Sequence, residues 1–160
     1  MSRPYEPKIE DSHIIAAINA LVYKKNASSK AKMISKLVRR FFATVPESEL
    51  EARSLDDLYG MVLAYWNDLN KKTEDIKLRV FNPTVKKEGW FSEHTVIEVI
   101  QADMPFLVDT IMMALNSLNL NIHFVIHTGK VRFVRSMSGK VTEVLPFDAP
   151  EHPGETHDSL

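Results

Sequence analysis

Apolar positions recur at helical spacing from Ile14 to Leu69 and alternate from Lys77 onward, so the chain reads as helices first and strands later. Ile14, Ile15, Ile18, Leu21 and Val22 form the first stripe, with Asp11 or Ser12 placed to cap it and a fade around Lys24 to Asn26. Ser28 or Ser29 opens a second helix, which carries Met33, Ile34, Leu37, Val38, Phe41 and Phe42 on one side and Lys32, Lys36, Arg39 and Arg40 on the other, and stops by Pro46. After a short acidic turn, Ser54 and Asp57 make an S-x-x-D start for a third helix. Its inner face is Leu55, Leu58, Tyr59, Val62, Trp66 and Leu69, and the polar run NKKTED closes it, with a boundary near Lys71 to Asp75. The pattern leaves open whether these helices pack on one another or on a sheet.

Beyond the boundary the period becomes two. KLRVF, residues 77–81, alternates ahead of the turn signal Asn82-Pro83. Residues 94–129 form the clearest unit: HTVIEVIQ is a β-branched, largely apolar strand, and Asp103, Met104 and Pro105 stop it. Asp103 is the expected N-cap and Pro105 belongs in the first helical turn, where its missing N–H has no partner to lose. Leu107, Val108, Ile111, Met112, Leu115 and Leu118 then follow at helical spacing, so one stripe can lie on the sheet. Asn119 ends the helix. In LNIHFVIH, Leu120, Ile122, Phe124 and Ile126 alternate with Asn121, His123, Val125 and His127, which predicts a second strand and a right-handed crossover between parallel strands. VRFVRS and KVTEVL flank Met137-Ser138-Gly139, a hairpin in which Gly139 takes positive φ. Residues 1–10 read as a lead-in. The tail, with Pro146, Pro150, Pro153 and Gly154, reads as loop.

Composition narrows the chemistry. With 160 residues there is enough chain for a core, and a formal net charge of −1 does not suggest a protein that lives on nucleic acid or anionic membrane. The absence of cysteine excludes disulfides, thiol catalysis and Cys-ligated zinc. No apolar run approaches the ~20 residues of a membrane span, and no signal-peptide pattern opens the chain, so a cytoplasmic location is expected. The five glycines never fall into a dinucleotide or P-loop pattern, and no hydrolase elbow or H-E-x-x-H pair is present.

Four groups of side chains remain as candidates. His123 and His127 share a strand face roughly 13 Å apart, too far for one metal ion, although His94 on a neighbouring strand can approach one of them. Lys24, Lys25, Lys30, Lys32, Lys36, Arg39 and Arg40 occur without an intervening acid, which raises a phosphate contact, a docking face for an acidic part of the same protein, or a solvated helix side. Asp56 and Asp57, and the pair Asp103 and Asp109, are the carboxylates available for acid–base work, but helix capping and first-turn placement explain Asp57, Asp103 and Asp109 with nothing left over. The turn at Asp103 offers free N–H groups beside a carboxylate, an arrangement that can hold an amino acid.

Asp103-Met104-Pro105, the amphipathic helix and Leu120-Asn121-Ile122 resemble the ACT domain, a ferredoxin-like regulatory module that often binds amino acids. Its first turn is commonly D-x-P-G, and Phe106 stands here at the glycine position. The resemblance implies an effector site of Asp103, Met104, Pro105, Phe106 and Asn121. More specifically, SLDDLYGMVLAYW, VFNPTVKKEGW, HTVIEVIQADMPFLVDTIMMALN and HFVIHT are similar to the amino-terminal region of the large bacterial NAD-specific glutamate dehydrogenases. In that family the catalytic domain lies far downstream and L-glutamate is deaminated to 2-oxoglutarate with NAD.

The fold expected is therefore α+β: an N-terminal three-helix segment (residues 1–75), a partial ferredoxin-like, ACT-like sandwich (76–147) truncated before its second half, and a loop or tail (148–160). The implied function is a non-catalytic regulatory and assembly region of such an enzyme. Residues 1–160 themselves are expected to hold no cofactor and no metal, with NAD bound elsewhere in the parent. The implied partners are the rest of the same polypeptide, a second copy and an amino-acid effector. A ferredoxin-like nucleic-acid-binding module using the basic helix of residues 24–40 is the competing reading.

Overall fold

The computed structural model describes residues 12–71, 76–102, 104–146 and 150, together with the backbone of 155–159. Asp11, Asp103 and most of the predicted boundary at 71–75 lie outside the described residues.

The helices follow their stripes. Helix α1 (His13–Lys25) buries Ile14, Ile15, Ile18 and Val22, and α2 (Ser28–Phe41) buries Ala31, Ile34, Leu37, Val38 and Phe41. A short α3 (Glu47–Glu51) occupies the acidic turn, where Pro46 provides the N-cap and Leu50 is buried. Helix α4 (Leu55–Leu69) starts at the predicted cap, with Ser54 Oγ accepting the Asp57 N–H at 3.1 Å. Helices α1, α2 and α4 pack on one another, and Val131, Phe133, Val141 and Val144 of the sheet belong to the same core. Both packings left open by the pattern are thus used at once.

The sheet has five strands in the order β1-β2-β5-β3-β4, and every neighbouring pair is antiparallel. These are β1 (Ile76–Phe81), β2 (Val96–Ala102), β3 (Val131–Arg135), β4 (Val141–Val144) and β5 (Glu155–Ser159). The β3–β4 hairpin turns at Gly139, whose φ of 82° is the positive value expected of it. Between β1 and β2 a single helical turn, α5 (Val85–Glu88), ends in the left-handed Gly89.

Three expectations are corrected. Residues 120–130 form no ladder, so the strand–helix–strand crossover between parallel strands is absent. The segment is held by the helical layer instead. The Arg53 guanidinium lies 3.9 Å over the Phe124 ring, Thr44 Oγ1 donates to the His127 carbonyl, and Phe124 and Ile126 pack on the helical core. Second, the tail is not all loop: β5 inserts between β2 and β3, where two flanking edges satisfy a polar stretch that has no strand pattern of its own. Third, helix α6 (Leu107–Ser117) begins after the proline, with Phe106 at the N-cap position in left-handed conformation (φ 62°) and no side-chain cap bond. Pro105 therefore sits in the turn ahead of the helix.

Candidate functional site

Motifs that are distant in sequence meet around the first two turns of α4. A Cβ added to Gly60 would lie 2.6 Å from the Gly89 carbonyl oxygen and 2.7 Å from Trp90 Cβ, so α4 and the Gly89-Trp90 turn are in direct backbone contact. Asp57 Oδ1 accepts the Phe91 N–H at 2.9 Å, and Trp90 stacks edge-on against Phe81. DDLYG and the N-P-T…G-W stretch are therefore the two halves of one joint between the helices and the sheet.

Beneath that joint lies a charged cluster. On β1 the alternation is inverted relative to a solvated strand: Lys77 and Arg79 face α4, while Ile76, Leu78 and Val80 are exposed. Asp68 of α4, only 2% exposed, lies 2.6 Å from Lys71 Nζ, 2.6 Å from Lys77 Nζ and 2.7 Å from Arg79 Nη1. Arg79 also pairs with Glu88 at 2.9 Å, and Glu98 of β2 stands 3.6 to 3.7 Å from Arg79 and Lys77. Burial works to raise the Asp68 carboxyl, but the hydrogen bonds and charges of Lys71 and Lys77 prevail and hold it at about 2. Glu98 is pushed up, first by burial and then by the negative charge of Asp68, with Lys77 and Arg79 opposing. Three acids and three bases balance, which suits an ion network that clamps two layers together.

Next to the joint, and bordered by its Asp57, Trp90 and Phe91, a cleft of about 960 Å³ opens between the sheet, α6 and residues 120–127. The stripe of α6, Leu107, Val108, Ile111, Met112 and Leu115, lines it together with Val80, Ile97 and Val99. None of the α6 residues is fully buried, so the stripe predicted to lie on the sheet faces it across open space. Phe41, Tyr65 and Trp90 form a wall from the helical side. The indole Nε1 of Trp90 is buried with no acceptor among the described residues.

The sequence-derived site residues are only partly brought together. Asn121 lines the cleft, whereas Met104, Pro105 and Phe106 are exposed outside it; the Phe106 ring, at 78% exposure, does not fold back to fill the turn. His94 and His123 do meet, with parallel rings 4.3 Å apart at the edge of the cleft, while His127 stays separate from the stack. Among the described residues no three His, Cys, Asp or Glu side chains cluster as metal ligands, and no helix is long and apolar enough to cross a membrane.

Three of the seven cations in the basic stretch have internal partners, while Lys24, Lys32 and Arg39 are exposed. Lys36 donates to the Val144 carbonyl, Arg40 to that of Lys130, and Lys25 pairs with Asp56 at 2.9 Å. Sequence reasoning missed Asp68 and Glu98, although the alternation Lys77, Arg79 on a strand with apolar partners was a signal that the charged side required buried counter-charges.

The family model described as the ACT1 domain of glutamate dehydrogenase matches residues 37–160. The NAD-specific glutamate dehydrogenase of Pseudomonas aeruginosa is 38% identical over 114 residues, which cover 71% of this chain and 7% of that protein. The NAD-specific glutamate dehydrogenase of Halomonas elongata is 37% identical over 126 residues, 76% of this chain and 8% of that protein. The chain thus spans less than a tenth of the length of these relatives. No solved structure matches. Neither the family match nor these relatives support a nucleic-acid-binding module.

Proposed function

This chain belongs to the glutamate dehydrogenase ACT1 domain family, and from that premise we propose that it is a non-catalytic, amino-terminal regulatory and assembly region of an NAD-dependent glutamate dehydrogenase. The parent enzyme converts L-glutamate and NAD to 2-oxoglutarate, ammonia and NADH, with NAD held by another part of the polypeptide. The observation that carries this reading is coverage. More than two thirds of the chain aligns with NAD-specific enzymes of which it represents under a tenth. The buried charges fit a structural part, because Asp68, Lys77, Arg79 and Glu98 are engaged with one another in joining helices to sheet.

In this reading the chain works with the rest of the same polypeptide and with further copies of it, in the cytoplasm. The turn before α6 is the place for an amino-acid effector: Asp103, Met104, Pro105 and Phe106 lead into free helix N–H groups, and Asn121 follows the helix. Calorimetric titration with a panel of amino acids tests the sensing part, for which binding that is lost on Phe106→Asp is expected. No heat from any of them well above millimolar concentration removes the effector and leaves a scaffold. Glutamate-dependent NAD reduction is expected from the parent and not from residues 1–160 alone. Turnover by this region alone would overturn the assignment.

A further inference from the structure

We propose that the cleft is a strand-shaped slot in the sheet, filled in the parent enzyme by the polypeptide that directly follows Leu160, which continues β5 between β2 and residues 120–130. The inference rests on the reading above that the chain is part of a longer enzyme.

The ladders set the path. β5 is paired from Glu155 to Asp158 with β3, Val134 opposite Glu155 and Val131 opposite Asp158. On its other flank it reaches only the last two residues of β2, Gln101 opposite Ser159 and Ala102 opposite Asp158. Among the described residues, Val96 to Ile100 carry no ladder partner on that side, although they are fully paired with β1 on the other. An antiparallel register runs backward one residue for each residue forward. Continued past Ser159 in that register, the proposed strand runs opposite Ile100, Val99, Glu98, Ile97 and Val96 in turn. On the opposite flank the same steps run back from Val131 to Lys130, beyond which Gly129 is left-handed (φ 63°), and residues 120–130 have no ladder partner either.

The walls fit the occupant. Val96 to Val99 and residues 120–127 line the same cleft of about 960 Å³. Two strands with one missing between them stand about 10 Å apart, twice the spacing of neighbours. A strand in that place is covered on both faces, by α6 on one side and by Phe41, Tyr65 and Trp90 on the other, so it must be apolar almost throughout. On the β2 wall the slot begins at Ile100, which is buried in the core. The incoming strand also brings carbonyl oxygens close to the Trp90 indole N–H, which is buried without an acceptor.

Hydrogen exchange on the intact parent enzyme and on residues 1–160 tests the proposal without any substitution. Peptides covering Val96–Ile100 and residues 120–130 are expected to exchange at least about 100-fold more slowly in the parent, as amides of a central ladder do. In the parent, Val99→Cys combined with cysteine at the residue directly after Leu160 is expected to form a disulfide within one polypeptide. Moving the second cysteine one position further reverses its face and abolishes the bond. Equal exchange of both walls in the two proteins overturns the proposal. So does protection gained along Ile76–Phe81 instead, which would place the strand at the free edge of β1, and so does a disulfide that links two polypeptides, which would make the occupant a second copy. If the assignment to glutamate dehydrogenase fails, the parent lacks glutamate-dependent NAD reduction whatever the exchange result, so the two failures read differently.

Discussion

Replacing Gly60 with alanine sets a local gain against a tertiary loss. In an unobstructed helix interior, Gly→Ala stabilises by about 1 kcal/mol. Here the added methyl would stand 2.6 Å from the Gly89 carbonyl oxygen and 2.7 Å from Trp90 Cβ, both on or next to backbone that cannot rotate away. Relief requires the Gly89-Trp90 turn to retreat from α4. That movement pulls on the hydrogen bond from the Phe91 N–H to Asp57 and on the edge-on contact of Trp90 with Phe81. Overpacking of this kind costs roughly 1–3 kcal/mol, and the lost bond adds to it, so a net destabilisation of about 1–3 kcal/mol is expected. For a chain of this size that lowers Tm by roughly 2–4 °C per kcal/mol. Urea and thermal unfolding of wild type, Gly60→Ala and Ala64→Gly measure the effect; the last variant reports propensity one turn further along the same helix. Gly60→Ala at or above wild-type stability would refute the joint between DDLYG and the G-W turn.

The ion cluster gives two expectations of opposite sign. Asp68 is held at about 2 against 3.8, so its contribution, on the order of 2 kcal/mol, is present above the ordinary carboxylate range and lost as pH falls toward 2. Asp68→Asn is expected to cost about 3–5 kcal/mol at pH 7 and to flatten the acid limb of a stability–pH curve; an unchanged limb contradicts this. Glu98 is raised, so its favourable contribution exists below the ordinary carboxylate range and disappears as pH rises through its folded value. Glu98→Gln should therefore be neutral or stabilising at pH 7, with the difference from wild type shrinking on acidification, and a large loss at pH 7 would count against this. Phe106→Gly relieves a left-handed residue while giving up little burial, since the ring is 78% exposed, and a gain of about 1 kcal/mol in urea unfolding is expected; a loss would mean that the ring has a packing role.

Local pattern was enough for the elements whose identity rests on period and caps. The stripes of α1, α2 and α4, the Ser54 cap, the alternation of β1, the apolar β-branched run of β2 and the positive φ of Gly139 were all legible, because each depends on residues within one or two turns of each other. The motif order also placed the chain in its family, and the structure supplied the physical reason, since DDLYG and the G-W turn touch. Tertiary structure alone decided which extended segments became strands. Residues 120–130 alternate well and make no ladder, whereas 155–159 do not alternate and form the strand third in the sheet order, because a ladder is defined by the partner available and not by the segment itself. It also decided the direction in which β1 faces. The sequence determined that Lys77 and Arg79 share one side, and only the buried carboxylates of Asp68 and Glu98, brought from α4 and β2, made that side the inside.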